Sequence, residues 1–177
     1  MYKIGENVVY GANGVMTVLD IREESITDTP RSYYVLKSPV GHKDSLTFVP
    51  VDNEKLTSIM RPLLSKSEIL EIIDAIPSIQ QIEWIADNRA RAEHFKATVE
   101  CGTHYEIIGM IKAIWATGVR RSEEGKKNYL ADEAAMKKAE HVLYSEFSTV
   151  LGIPEDEVAD FISSRTEWIS GKAEVQV

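Results

Sequence analysis

The sequence has a single cysteine and no long apolar run. Cys101 alone cannot form an internal disulfide or supply a cysteine-rich zinc site. No apolar run approaches the ~18 residues that a membrane-spanning helix needs. The N-terminus also lacks the hydrophobic region of a secretory signal. These absences lead us to expect a cytoplasmic protein with no membrane partner.

Basic residues are fewer than acidic ones. The chain has 20 Lys and Arg against 28 Asp and Glu, a formal net charge of −8, which argues against indiscriminate binding to nucleic acid. The acidity is concentrated in residues 141–177, which carry 2 basic and 7 acidic residues, whereas residues 83–140 carry 10 of each. The middle of the chain can therefore still present a basic surface.

Metal-binding and catalytic patterns are also missing. The four histidines are dispersed, and no pair of them has the spacing of a metal site. Residues 118–127 have the wrong spacing for a phosphate-binding loop, and no side chain resembles a nucleophile beside its base. We therefore predict no metal, no cofactor and no enzymatic activity.

The first fifty residues have the pattern of short strands separated by turns. β-prone runs occupy residues 7–10, 15–21, 32–37 and 45–50. Their spacing of about ten residues is typical of a small bent sheet or barrel. Three tyrosines are predicted to pack inside this module rather than to stack on bases: Tyr10, Tyr33 and Tyr34.

Helical periodicity replaces the strand pattern after residue 53. Cap residues, glycines and prolines divide the remainder into predicted helices, at about residues 65–76, from 78 or 81 to 100, at 103–117, 129–151 and 154–170. We therefore predict an α+β protein of two modules. A small β-barrel or bent antiparallel sheet covers residues 1–56, and an all-helical domain of about five helices covers residues 64–170.

Residues 82–95 bring a large apolar ring close to two cations. If this stretch begins a helix, Arg89 projects within about 140° of Trp84, and Arg91 lies nearly in line with that ring. Such a combination suits a DNA minor groove, where an apolar wedge unstacks a base step and arginine contacts phosphate. The alternative is that Trp84 is a core anchor, as most tryptophans are largely buried, and that the arginines form a solvated face.

Other candidates lie in and after the third predicted helix. Trp115 falls on the apolar stripe of that helix, which predicts a core position. The following polar stretch holds two basic pairs, which either contact phosphate or form a solvated loop: Arg120 with Arg121, and Lys126 with Lys127.

The order of these elements and several motifs resemble the CarD family of bacterial transcription regulators. The similar stretches of the β module are Ile4-Gly5-Glu6-Asn7-Val8-Val9-Tyr10, Gly14-Val15, Tyr33-Tyr34-Val35-Leu36 and Val49-Pro50-Val51-Asp52-Asn53. Those of the helical half are Glu83-Trp84-Ile85 and Lys138-Ala139-Glu140-His141-Val142-Leu143-Tyr144-Ser145-Glu146-Phe147. The resemblance covers about residues 1–165.

The resemblance implies a Tudor-like N-terminal module that docks on the RNA polymerase β subunit. It also implies a helical domain that touches promoter DNA at the upstream edge of the transcription bubble. There Trp84 would wedge into the minor groove while basic neighbours hold the backbone, which stabilises the open promoter complex. The DNA-binding residues expected on this basis are Trp84, Arg89, Arg91, Arg120, Arg121, Lys126 and Lys127.

The protein is then expected to be a nucleoid-associated monomer in the cytoplasm. The alternative is a cytoplasmic protein–protein adaptor whose helical domain never touches DNA, and the acidic charge favours it.

The β module departs from the family pattern. Arginines that face the polymerase in the family fall on Glu24 and Phe48 here, and a basic residue often found two positions after the tryptophan is Ala86. The polymerase contact is expected instead on Arg22 or Lys43, or on the backbone of one strand, whose residues are Ser45, Leu46, Thr47, Phe48 and Val49.

Overall fold

The computed structural model describes residues 1–25, 30–39 and 45–166. The chain divides into two compact units, Met1–Leu63 and a second that begins at Leu64. The first is built on an antiparallel sheet and the second is helical. This arrangement confirms the predicted α+β class with two modules.

The sheet of the first unit has five strands in the order β4-β3-β2-β1-β5, all antiparallel. They are β1 (Asn7–Tyr10), β2 (Val15–Glu24), β3 (Arg31–Lys37), β4 (Leu46–Pro50) and β5 (Met60–Pro62). The first four match the predicted runs, although β2 is three residues longer. A register shift between Val18 and Asp20 leaves Leu19 as the extra residue of a bulge.

Two short elements of this unit lack a clear signal in the sequence. Helix α1 (Glu54–Thr57) is capped by Asn53, whose side chain accepts a hydrogen bond from the Leu56 backbone N–H. The three residues of β5 pair with β1 and close the sheet on that side. Residues of the five strands form an apolar cluster, which contains Val8, Tyr10, Met16, Val18, Tyr34, Leu36, Val49 and Met60.

The three tyrosines predicted to pack inside this module are all buried, which confirms that prediction. The exposed fractions of Tyr10, Tyr33 and Tyr34 are 8%, 4% and 4%.

The second unit contains five α-helices within its described residues, in agreement with the predicted number. They are α2 (Lys66–Ala75), α3 (Asn88–Cys101), α4 (His104–Glu123), α5 (Leu130–Leu151) and α6 (Val158–Thr166). Capping boxes begin two of them: Ser65 with Glu68 at α2, and Thr103 with Glu106 at α4.

Two predicted helix limits are wrong. The second helix does not begin at residue 78 or 81: a 3-10 turn at Ile76–Ser78 is followed by extended chain, and α3 starts only at Asn88, capped by Asp87. Gly118 does not end α4, which continues to Glu123. A glycine inside a helix costs only about 1 kcal/mol, and here its missing side chain makes room for Asn128.

The chain after α5 follows its sequence signals more closely. Gly152 adopts a left-handed conformation (φ 70°) and ends α5 as predicted. After Pro154 a 3-10 turn, Glu155–Glu157, precedes α6. The end of the predicted fifth helix near residue 170 lies outside the described residues.

Candidate nucleic-acid interface around Trp84

Trp84 lies in the extended segment between residues 79 and 86, which is fastened to α4. The Ile82 backbone N–H donates to the Gly109 carbonyl at 3.2 Å. The Lys112 ammonium donates to the carbonyls of Ile76 and Ile79 at 2.5 and 2.6 Å, and burial lowers its pKa. Because these bonds supply the backbone partners that a helix would otherwise provide, the segment stays extended.

The segment approaches α4 closely because residue 109 has no side chain. A Cβ at Gly109 would lie 2.8 Å from the Gln80 carbonyl oxygen. The absence of a side chain at residue 109 therefore sets the distance between the segment and α4, and with it the position of Trp84.

The Trp84 ring is half-buried, so it is neither a core anchor nor a free surface side chain. Its edge packs against the buried ring of Phe95, with ring centres 6.1 Å apart and planes at 66°. The guanidinium carbon of Arg91 lies 4.5 Å from the centre of the Trp84 ring. Aromatic pairing and a cation over the ring both restrict its orientation.

Arg91 holds this arrangement together from a buried position. Its guanidinium donates to both carboxylate oxygens of the equally buried Asp132 on α5, with Nε at 3.1 and 3.2 Å. It also donates to the carbonyl of Ile85 at 2.9 Å and to the side-chain oxygen of Asn88 at 2.9 Å. One side chain thus joins the extended segment, the start of α3 and the start of α5.

The burial of Arg91 contradicts its predicted contact with DNA phosphate. Only 1% of the residue is exposed, and its donors already serve Asp132, Ile85 and Asn88. The sequence could not signal this because Asp132 lies 41 positions away. The helical angle between Trp84 and the arginines does not apply either, since Trp84 precedes the helix.

A second ring and a second arginine extend the arrangement. The Arg91 guanidinium lies 4.8 Å from the centre of the Tyr129 ring, and that of Arg121 lies 4.0 Å from the same ring. Arg121 is fixed in turn by donating to the Lys127 carbonyl at 3.0 and 2.8 Å. We call Trp84, Arg91, Tyr129 and Arg121 the Trp84 stack.

The other predicted DNA-binding cations are exposed, and we call them the basic rim: Arg89, Arg120, Lys126 and Lys127. Arg89 forms an i,i+4 ion pair with Glu93 at 3.3 Å, and its side chain is 90% exposed. Lys126 pairs with Glu124 at 2.7 Å, which lowers the pKa of that carboxyl. Such exposed pairs stabilise little and leave the cations available to phosphate.

Two grooves meet at Trp84. The larger, of about 480 Å³, lies along α4 and the first turns of α5 and includes Trp115, Tyr129 and Arg121. The smaller, of about 330 Å³, includes Arg120. Trp84 lines both grooves, so this residue can be reached from either of them.

Trp115 is not in the core, contrary to the prediction from its helical spacing. It is 56% exposed, whereas Ile114, its neighbour on α4, is buried. Successive helical residues project about 100° apart, and this rotation carries Trp115 off the face that packs on the core and into the wall of the larger groove.

The predicted polymerase-binding strand, β4, is at one end of the strand order. Within the described residues no strand pairs with its outer side. The Val51 backbone donates to the Ser32 carbonyl at 2.9 Å in the same register as the β3–β4 ladder. Hydrogen bonding alternates along an antiparallel pair, so the backbone groups of Leu46 and Phe48 point toward the outer edge.

The predicted polymerase-binding side chains differ in exposure. Ser45 and Leu46 are exposed, and Thr47 and Phe48 are half-buried. Val49 is fully buried in the apolar cluster. The side chain of Val49 is therefore unavailable to a partner, because alternate residues of a strand face opposite sides of the sheet.

Arg22 stands beside the two positions at which the family pattern departs. Its guanidinium lies 5.9 Å from the centre of the Phe48 ring and bonds Glu24 at 2.8 Å. A second acid, Asp20, lies at 3.6 Å. The two carboxylates offset the charge that Arg22 presents on this face of the sheet. Lys43 lies outside the described residues.

No helix among the described residues combines the length and the apolar character required to cross a bilayer. In the same residues no group of three metal-ligating side chains comes together. The absence of a metal remains a prediction.

The protein thus has two modules: within the described residues the outer edge of β4 in one unit is unpaired, and in the other unit Trp84 lines two grooves. Residues 2–64 match the family model of the CarD-like/TRCF RID domain, an RNA polymerase-interacting domain. The chain is also similar to the "Putative transcription factor YdeB" of Bacillus subtilis (strain 168). The two are 22% identical over 164 residues, which cover 91% of this chain and 99% of the relative.

These findings confirm the resemblance to the CarD family. They support the role of a transcription regulator that has RNA polymerase as a partner.

Proposed function

We propose that the protein binds the RNA polymerase β subunit through β4 and promoter DNA through Trp84, Arg121 and the basic rim. In this proposal Trp84 wedges into the minor groove at the upstream edge of the bubble and stabilises the open complex. The observation that carries the proposal is the half-buried Trp84 ring, held over buried Arg91 and against Phe95.

A wedge must keep its orientation when it enters a base step. Unstacking a step costs a few kcal/mol, so a ring that is already ordered loses less conformational entropy on insertion. The contacts of Arg91 with Asp132 and the extended segment supply that order. The two grooves that Trp84 lines give DNA access to this residue.

The distribution of charge supports a DNA contact that depends on polymerase. Arg121 lines the larger groove and Arg120 the smaller one, but the whole chain carries a net charge of −8. Weak intrinsic affinity is the expected result. Docking on polymerase would raise the effective concentration of the helical unit at the promoter, and the second contact then forms intramolecularly.

The polymerase contact is proposed to be backbone pairing along β4. Among the described residues nothing pairs with the outward N–H and C=O groups of Leu46 and Phe48, which an extended strand of a partner can take up. Because this pairing uses the main chain, it does not require the arginines that are replaced here by Glu24 and Phe48.

A protein–protein adaptor without a DNA contact is the second candidate. The exposed apolar side chains of Trp115 and Val119, one turn apart on α4, favour it. Aromatic residues at a surface are also typical of protein interfaces.

A gel shift on forked promoter DNA, with and without polymerase, separates the two candidates. The regulator should retard the polymerase–DNA complex further, protect the upstream edge of the bubble, and bind less well as salt rises. An adaptor should join the polymerase without changing protection of the DNA.

The β4 contact is tested in the same assay by Leu46→Pro, which removes an outward N–H. Its matched control is Leu46→Ala, which removes most of the side chain but keeps that N–H. We expect the proline variant to lose polymerase binding while the alanine variant retains it. Equal loss in both variants would assign the contact to the side chain and contradict backbone pairing.

A further inference from the structure

The larger groove beside Trp84 has features that a minor-groove wedge alone does not explain. We call it the Trp84–Trp115 groove after two of its lining residues, and it lies wholly within the second unit. Its volume of about 480 Å³ is within the ~300–1,000 Å³ range of sites that bind small organic groups. The Tyr129 ring also lines it, so three aromatic side chains surround one concave surface.

The exposure of Trp115 marks this groove as a binding surface. Trp115 is 56% exposed, and Val119 one turn later is 39% exposed. Large apolar side chains that stay in water beside a groove are typical of ligand or partner sites. The neighbouring Ile114 is buried and supplies the contact of this turn of α4 with the core.

The groove also contains polar side chains that are available to form hydrogen bonds with a ligand. Thr117, Ser122 and Asn128 line it, and within the described part of the chain their side chains form no hydrogen bond. Thr117 is 92% buried, since its exposed fraction is 8%. The Asn128 amide can donate and accept at once, a pattern that pairs with the edge of a nucleobase.

The charges around the groove favour a ligand that carries phosphate. Arg121 and Lys137 line it, and the buried Asp132 is neutralised by Arg91. Glu133 is the remaining acid in the lining. Arg121 is already fixed by the Lys127 carbonyl, so its charge is presented without further ordering.

We propose that the Trp84–Trp115 groove binds an unpaired nucleobase of melted promoter DNA, stacked on Trp115 and contacted by Asn128. This inference rests on the proposed wedge: when Trp84 unstacks a step at the edge of the bubble, the displaced base lies beside the groove. A paired base cannot enter, because it must first leave the stack. The groove therefore discriminates melted DNA from duplex.

The test uses the full chain with polymerase and promoter DNA that carries 2-aminopurine at the first unpaired position of a fork. Stacking on an indole should quench the probe on the fork but not on the fully paired duplex. Trp115→Ala should abolish the quenching and weaken fork binding about tenfold, since the base loses the aromatic ring on which it stacks. Duplex binding should stay unchanged.

Matched variants separate a lost stack from a damaged fold. Trp115→Phe keeps an aromatic surface and should recover most of the quenching and of the fork preference. Asn128→Ala should lower fork binding and change which base is preferred at the probe position. Thermal unfolding of all three should match the wild type, because both side chains are exposed.

Two results would overturn the inference, and only the second of them also contradicts the proposed function. In the first, Trp115→Ala keeps the quenching and the fork preference while Trp84→Ala shortens the open-complex lifetime. The groove then binds no nucleobase, and the proposed role of Trp84 as a wedge is retained. If the wild type shows no fork preference and Trp84→Ala changes nothing, both the groove and the proposed function fail.

Discussion

Arg89 and Arg91 begin the same helix, two residues apart, yet they belong to different regions of the second unit. Arg89 is in the basic rim, with its side chain almost fully exposed. Arg91 is in the Trp84 stack, fully buried and bonded to Asp132. In the proposed function the two have different tasks: the rim would set how strongly DNA is attracted, and the stack would set how the tryptophan is presented.

The largest expected effect is the loss of the buried arginine. Arg91→Met leaves the Asp132 carboxylate buried without its partner, and breaking such a pair costs ~3–5 kcal/mol. The matched surface variant, Arg89→Ala, should change stability by less than ~0.5 kcal/mol. Urea unfolding of the full chain, followed by far-ultraviolet circular dichroism, measures both.

A double variant sharpens this expectation. Arg91→Met with Asp132→Leu removes both charges and should recover much of the lost stability, since apolar replacement of a buried pair is often neutral. Equal stability losses from Arg89→Ala and Arg91→Met would remove the distinction between rim and stack.

The next largest effect concerns the close approach of α4 to the extended segment that carries Trp84. Gly109→Ala places a Cβ 2.8 Å from the Gln80 carbonyl, and such overpacking costs ~1–3 kcal/mol. The segment should shift and alter the near-ultraviolet circular dichroism of the tryptophans. In the same helix, Gly118→Ala meets only the Asn128 side chain at 3.2 Å.

Gly118→Ala is therefore the control for Gly109→Ala. The Asn128 side chain can move aside, and alanine favours a helix by up to about 1 kcal/mol over glycine. We expect a neutral or slightly stabilising change and an unaltered near-ultraviolet spectrum. If both glycine variants behave alike, residue 109 does not position Trp84.

The smallest effect should come from the rim. Arg120→Ala removes one exposed cation beside the smaller groove and should leave thermal stability unchanged. If Arg120 contacts phosphate, the slope of log binding constant against log salt should become shallower by about 0.9. Promoter binding titrated from low to moderate salt measures this, and an unchanged slope would exclude Arg120 from the contact.

Structural features that neighbouring residues determine could be predicted from the sequence, whereas those that distant residues determine could not. Thr103 and Glu106 are three residues apart, so the start of α4 could be predicted from a capping signal, and Gly152 marked the end of α5. The extended conformation at Trp84 depends on Gly109 and Lys112, which lie more than twenty positions later.

Exposure within one helix was equally hard to predict. Ile114 and Trp115 are adjacent and both apolar, and only the packing of the helix decides which of them is buried. The candidate site was found because tryptophan, arginine and a family resemblance coincided at one stretch. The separation of rim from stack required the position of Asp132, which no local pattern predicts.

The most direct measurement is the lifetime of the open promoter complex with Trp84→Ala, after challenge with a competitor. The ring packs on Phe95 and Arg91, so its loss should cost about 1–2 kcal/mol of stability, well below the ~3–5 kcal/mol of a core aromatic. The lifetime should fall at least about tenfold, because the wedge offsets an unstacking cost of a few kcal/mol. An unchanged lifetime in a variant that remains folded and bound to polymerase would contradict the wedge.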